Sequence, residues 1–209
     1  MTTKTINPKK IRPKKIRLGF LASGRGSNML AIIDNCKAGH LNAEPAVVIR
    51  NNADAGALEY AREAGIPAFH LSTQTNPENL DDVITDTLKF HGVDWVILAG
   101  YMKKIGPQLL KGFQGKIFNI HPSLLPKHGG KGMYGLHVHE AVLASGDTET
   151  GVTIHLVDDE YDQGRILAQR SVVVEEGDTP ELLAARVLKV EHQLYSDTLR
   201  DVIEGRISL

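Results

Sequence analysis

A single cysteine, Cys36, in 209 residues rules out an internal disulfide and any four-cysteine metal site. Aromatic residues are scarce, at 5%, and none falls in the basic segment that opens the chain. There is no apolar run long enough to cross a bilayer and no signal-like apolar core, so no membrane partner is expected and nothing argues for export. A cytosolic location is expected. Internal repeats and interdomain linkers are also missing, and 42% hydrophobic with 23% charged residues suits one full core in one domain.

Charge is nearly balanced at −1, but unevenly distributed. Lys4, Lys9, Lys10, Arg12, Lys14, Lys15 and Arg17 meet no acid in the first 17 residues, which leaves 17 basic and 25 acidic groups in the rest. Such an arm could touch nucleic acid. It holds two prolines, little apolar periodicity and no aromatic ring for base stacking, so a solvated, flexible arm over residues 1–16 and no nucleic-acid partner are expected. The folded domain is then 17–209.

What is present is a repeated switch of hydrophobic period. Apolar runs at Leu18 to Ala22, Ala46 to Ile49, Pro67 to Leu71 and Trp95 to Ala99 alternate with helical patterns. These run through Met29, Leu30, Ile32, Ile33 and Cys36, then through Leu58 and Ala61, then from Asn76 and Pro77 with Leu80, Val83, Ile84, Thr87 and Leu88 inward. Runs without polar alternation suit strands buried on both faces. After Gly151 come two strand candidates, Val152 to Val157 and Arg165 to Val174, around the acidic turn DDEYDQG. A last helix follows, with Thr179 as cap, Pro180 at its first position and Leu183, Val187, Val190 and Leu194 on one stripe beside Glu191. The expected fold class is α/β, a Rossmann-like, mostly parallel sheet with helices on both faces.

Chemistry concentrates in KIFNIHPSLLP, residues 116–126. Asn119 and His121 stand at i and i+2, so extended backbone sends both side chains off one face, and Pro122 and Pro126 stiffen the exit. Asp162 stands in the acidic turn, where a solvated cluster is the plain reading and a calcium loop lacks its spacing. Together an amide, an imidazole and a carboxylate suit acyl transfer. The glycine-rich stretch LPKHGGKGMYG after the turn reads equally as a mobile flap or a long surface loop.

Between the first strand and first helix, ASGRGSN offers glycines and a helix N-terminus to a phosphoryl ligand. A dinucleotide fingerprint would need glycine in place of Met29, and an acid where the second strand ends in Arg50, Asn51 and Asn52, so NAD is disfavoured. His137, His139 and Glu140 suggest a metal, but only His137 and Glu140 share a helical face, so a surface pair is expected and no metal is assigned.

In order along the chain, SGRGSN, LAGYMKKI, FNIHPSLLP, GGKGMYG, GVTIHLVDDEYDQG and VEHQLY resemble the phosphoribosylglycinamide formyltransferase family, from about Arg17 to Gly205. The resemblance implies a formyltransferase fold. It also implies transfer of a formyl group from 10-formyltetrahydrofolate, as cosubstrate, to the amine of glycinamide ribonucleotide in de novo purine synthesis, by a monomer or homodimer. Asn119, His121 and Asp162 match the family's catalytic trio, and Gly26, Ser27 and Asn28 its phosphate clamp. Glu191 matches the glycinamide contact; Met102, Lys103, Lys104 and Ile105 with Asn119, Val157 and Asp158 match the folate pocket. MKKI departs from a bacterial form with arginine and two apolar residues. In the implied mechanism Asp162 favours the imidazolium of His121, which with Asn119 stabilises the oxyanion. His155 and Thr153, on one strand face, are candidates for ordering a proton-carrying water or for a core role. A formyltransferase for another amine and a phosphate-binding regulatory module are the alternatives.

Overall fold

The computed structural model describes residues 14–24, 26–52 and 56–209. Residues 1–13 of the expected arm, and Arg25 of the glycine-rich turn, lie outside the described residues. Seven strands, β1 (Ile16–Ala22), β2 (Ala43–Arg50), β3 (Ala68–His70), β4 (Trp95–Leu98), β5 (Ile117–His121), β6 (Glu149–Leu156) and β7 (Ile166–Val173), form one sheet in the order β3-β2-β1-β4-β5-β6-β7. The first five are parallel, while β6 and β7 are antiparallel. The mostly parallel α/β sheet is therefore as expected.

Among the described residues six helices cover both faces: α1 (Ser27–Lys37), α2 (Gly56–Glu63), α3 (Leu80–Phe90), α4 (Pro107–Gly112), α5 (Leu136–Ser145) and α6 (Pro180–Ile203). Strand alternation sorts the core into two layers. Leu18, Phe20, Val48, Ile97 and Phe118 pack with Met29, Ile33, Leu58, Val142, Leu183 and Val187, beneath α1, α2, α5 and α6. Leu21, Val47, Ile49, Val96 and Ile117 pack with Ile84, Leu88, Leu109 and Phe113, beneath α3 and α4. Each such side chain contributes roughly 1.5–3 kcal/mol of burial.

The helix expected from Asn76 starts instead at Leu80. Ser72 and Thr75 account for the delay: the Thr75 hydroxyl accepts the Ser72 N–H at 2.8 Å and the Asn76 N–H donates to the Ser72 carbonyl at 2.8 Å, closing a turn that competes with helix. The α6 start is as expected, with Thr179 accepting the Leu182 N–H and Pro180 in the first turn.

Two devices hold the active end of the sheet. Tyr195 of α6 is fully buried, its hydroxyl set 3.1 Å from the Leu98 carbonyl and 2.9 Å from that of Phe118, bridging the last residue of β4 and the second of β5. The acidic turn closes through Val157 N–H to Ile117 carbonyl and Leu156 N–H to Arg165 carbonyl, both at 2.9 Å. A Cβ at Gly164 would overlap the Leu156 carbonyl, so only glycine fits where this turn rejoins the sheet.

Candidate active site

Strand order reverses beside β1, between β1 and β4, and in such sheets ligands bind at the C-terminal strand ends near that point. A cavity of about 900 Å³ opens there. It lies at the large end of the roughly 300–1,000 Å³ typical of ligand sites. Asn119 and His121 both line it, delivered by β5 with Ile120 between them, and Asp162 reaches it from the acidic turn after β6. The register sets Asn119 opposite His155 and His121 opposite Thr153.

The trio predicted from sequence does meet. His121, with a side chain 4% exposed, has Nδ1 at 3.5 Å from Asp162 Oδ2, while its Nε2–H donates to the His128 carbonyl at 2.8 Å. Asn119 Nδ2–H donates to His155 Nε2 at 3.1 Å, because His155 Nδ1–H is already given to the Leu156 carbonyl at 2.8 Å. Asp162 also lies 3.6 Å from His155 Nε2 and accepts the Gly130 N–H at 2.9 Å. Its φ of 57° places a non-glycine residue in left-handed backbone, a cost of about 1–3 kcal/mol that is met where it turns the carboxylate inward.

Protonation departs from the expectation. Burial lowers the His121 pKa below its ordinary value and outweighs the Asp162 carboxylate and the His128 carbonyl, which raise it. His121 is therefore neutral at neutral pH, not the imidazolium expected from its carboxylate neighbour. For Asp162, burial acts upward, yet His155, His121 and the Gly130 N–H together hold its carboxyl below the ordinary range. Thr153 has no free hydroxyl for a water. It donates to the Ser123 carbonyl at 2.7 Å and accepts from Leu125 N–H and Gln169 Nε2, so it braces the proline turn while His155 faces the site.

The sequence model of the family described as Formyl transferase matches residues 16–199. The chain belongs to that family. It is 46% identical over 198 residues to "Phosphoribosylglycinamide formyltransferase, chloroplastic" of Arabidopsis thaliana, covering 93% of this chain and 68% of the plant protein. To the "Phosphoribosylglycinamide formyltransferase" of Haemophilus influenzae it is 40% identical over 195 residues, 92% of this chain and 90% of that one. The crystal structure of glycinamide ribonucleotide transformylase 1 from Symbiobacterium toebii superposes with a TM-score of 0.88 at 40% identity, covering 95% and 92% of the two chains.

In this formyl transferase family member the other predicted residues divide. Met102, Lys103, Lys104, Ile105, Val157, Asp158 and Glu191 all line the cavity, and Lys104 Nζ lies 5.7 Å from the Tyr161 ring centroid across its mouth. Of the phosphate-clamp residues Asn28 lines it, whereas Gly26 and Ser27 do not. Gly26, at φ 71°, is the N-cap of α1 and no side chain caps that end, which leaves its first N–H groups for an anion. Asn28 Nδ2–H is held by the Glu191 carboxylate at 2.6 Å. Burial pushes the Glu191 carboxyl upward, with the Asn28 bond opposing. Asn28 thus ties α1 to α6 as well as facing the cavity. The stretch expected as a flap or a long loop is anchored at Asp162 through Gly130. Among the described residues no group of three or more His, Cys, Asp and Glu is placed to hold a metal ion, and no helix is long and apolar enough to cross a membrane.

Sequence reasoning missed part of the lining. Glu181, Ala184 and Leu188 join the predicted Glu191 on a second face of α6, readable from their helical spacing. His139 is the other omission. His137 and Glu140 do form the exposed surface pair, at 3.1 Å, but His139 turns inward, 4% exposed, onto the cavity. Burial first, then repulsion from the neighbouring His121 when both rings are protonated, lowers its pKa to about 4. The folded form thus binds its proton less readily than the unfolded chain at about 6.5, so its stabilising contribution is complete above pH 6.5 and lost as pH falls toward 4. That contribution is about 3 kcal/mol. His121 acts in the same direction and Glu191, raised, in the opposite one. Urea midpoints measured from pH 7 to pH 4 should fall, and His139→Gln should flatten the decline.

Proposed function

We propose that the chain transfers the formyl group of 10-formyltetrahydrofolate to the primary amine of glycinamide ribonucleotide, in the cytosol, as a monomer or homodimer. The observation that carries this reading is the meeting of Asn119, His121 and Asp162 in one cavity with room for two substrates. The uncapped α1 end at Gly26 and Ser27 takes the ribonucleotide phosphate, while Asn28 holds Glu191 toward the glycinamide. The segment from Met102 to Ile105, with Val157 and Asp158 opposite, encloses the folate ring.

Proton flow follows from the neutral His121 ring. Its Nδ1 carries a lone pair, because the His128 carbonyl takes Nε2–H. The amine nitrogen bonds to the formyl carbon, the carbonyl electrons move to oxygen, and the nitrogen passes its surplus proton to His121 Nδ1. Asp162 stabilises the imidazolium so formed, at the range where a carboxylate favours it. Asn119 has one N–H bound to His155 and a second to offer the oxyanion, a contact of the kind whose removal costs roughly 10²–10³-fold in rate. The tetrahedral carbon then releases the folate nitrogen, which takes the proton back from His121.

Spectroscopic release of tetrahydrofolate from 10-formyltetrahydrofolate, with and without glycinamide ribonucleotide, tests the proposal. Release that requires the ribonucleotide is expected. Release without any amine would identify a hydrolase, and release with another amine alone would overturn the acceptor.

A further inference from the structure

A backbone turn that receives an anion carries carbonyls as well as N–H groups, and a carbonyl oxygen facing the anion repels it. The glycine-rich turn between β1 and α1 has to hold its carbonyls aside. Those of Ser23 and Gly24 are taken by Arg50, whose Nη2 donates to them at 3.3 and 2.5 Å. Asn52 Nδ2–H donates to the Ser23 carbonyl as well, at 2.7 Å.

The sheet places Arg50 for this task. It is the last residue of β2, in register with Ala22 at the end of β1, so its side chain leaves beside the point where the turn begins. Arg50 is only 2% exposed, and arginine is almost never buried that far unless its charge is engaged. Hydrogen bonds from a guanidinium are charge-assisted and stronger than neutral ones. Ser23 is fixed from β4 too: its N–H donates to the Gly100 carbonyl at 3.1 Å, and its Oγ accepts the Met102 N–H at 2.9 Å. The first residue of the turn is thereby locked between the ends of β2 and β4. That leaves the N–H groups at the uncapped start of α1 for a ligand. Asn28 marks a ligand there independently. It is 8% exposed and lines the cavity, yet its Oδ1 is buried with no hydrogen-bond partner among the described residues. Such an oxygen accepts from a hydroxyl or an amine, groups that a glycosyl phosphate substrate carries beside its anion.

We propose that Arg50 and Asn52 are positioning residues for the ribonucleotide phosphate. They hold the Ser23 and Gly24 carbonyls toward β2, and the buried Arg50 cation sets a positive field, little screened by salt, behind the turn that receives the anion. This rests on the reading of the α1 start as the seat of the phosphate. Neither residue lines the cavity; both act through the turn they brace.

Calorimetric titration of the full chain with ribose 5-phosphate reads the turn without a formyl donor or an amine. The native chain is expected to bind it. Arg50→Gln should bind about 10–10²-fold more weakly, the change that follows loss of hydrogen bonds to a charged group. Arg50→Lys keeps the charge but replaces the planar fork with a single nitrogen, so it should recover part of the loss. Asn52→Ala should lose about three- to tenfold. In formyl transfer, Arg50→Gln should raise KM for glycinamide ribonucleotide, while kcat and KM for 10-formyltetrahydrofolate stay within about twofold, the pattern of binding lost equally from ground and transition states. Phosphate-free glycinamide riboside should be turned over equally by the variant and the native chain. Arg170→Gln, which removes a partly exposed cation from β7, should leave sugar-phosphate binding native. Unchanged affinity of Arg50→Gln for ribose 5-phosphate overturns the proposal. So does an equal loss of turnover with the riboside, or a native chain that does not bind the sugar phosphate. Should Arg50→Gln fail to fold, native affinity in both Arg50→Lys and Asn52→Ala overturns it. A native chain that binds ribose 5-phosphate through Arg50 but does not formylate glycinamide ribonucleotide would sink the acceptor assignment and leave the pair intact.

Discussion

His121→Ala is expected to lower kcat for formyl transfer by roughly 10²–10⁴-fold, the range for loss of a positioned acid–base group, with substrate KM values little changed. The ring is almost wholly buried, with Nδ1 beside the Asp162 carboxylate and Nε2–H given to the His128 carbonyl. In the native chain the active form is the neutral ring. Because burial sets its pKa below the ordinary histidine value, kcat/KM should hold its plateau to lower pH than an ordinary histidine would allow, then fall as the ring gains a proton. Tetrahydrofolate release followed from pH 5 to pH 8 measures this directly. An acidic limb at or above the ordinary value of about 6.5 would contradict the neutral-base role.

Asp162→Asn should cost about 10³-fold in kcat, the next largest effect, while ribonucleotide KM changes by less than about threefold. The ground for this size is the loss of a carboxylate beside the imidazolium, comparable to changes of roughly 10⁴-fold in a Ser-His-Asp triad. The variant keeps the side-chain shape, and asparagine tolerates the φ of 57°, so the fold should persist. Stability should respond at acid pH. The native carboxyl lies below its ordinary range, so its contribution is full above about pH 4 and is lost as pH falls through the folded value. The amide of the Asp162→Asn variant does not titrate, so that acid-dependent part should be missing from its unfolding curves. Unchanged turnover in the variant would remove Asp162 from the mechanism.

Both effects originate in the antiparallel end of the sheet. Pairing β6 against β5 sets His155 beside Asn119, and the turn after β6 then swings Asp162 back over both histidines. One short segment therefore supplies the carboxylate, lines the cavity through Val157 and Asp158, and receives the Gly130 N–H that anchors the glycine-rich loop. Gly164 protects this geometry, since no side chain fits against the Leu156 carbonyl.

The amino-acid sequence by itself determined the βαβ series, the α6 cap at Thr179 and Pro180, and the pairing of Asn119 with His121 on one strand face. Those follow from local rules: hydrophobic period, cap chemistry and the alternation of side chains along a strand. It also named Asp162 and the residues from Met102 to Ile105 through a motif resemblance. Tertiary structure decided what depends on contacts between distant segments. The start of α3 was moved by a Ser72–Thr75 turn, and His139 was drawn inward from a helix whose exposed face carries His137 and Glu140. Above all, the protonation of His121 was out of reach of the sequence. A carboxylate neighbour argues for a charged ring, as does the His128 carbonyl, and only the depth of burial acts with the opposite sign. Desolvation is a property of everything packed around a group, and no stretch of sequence specifies it alone.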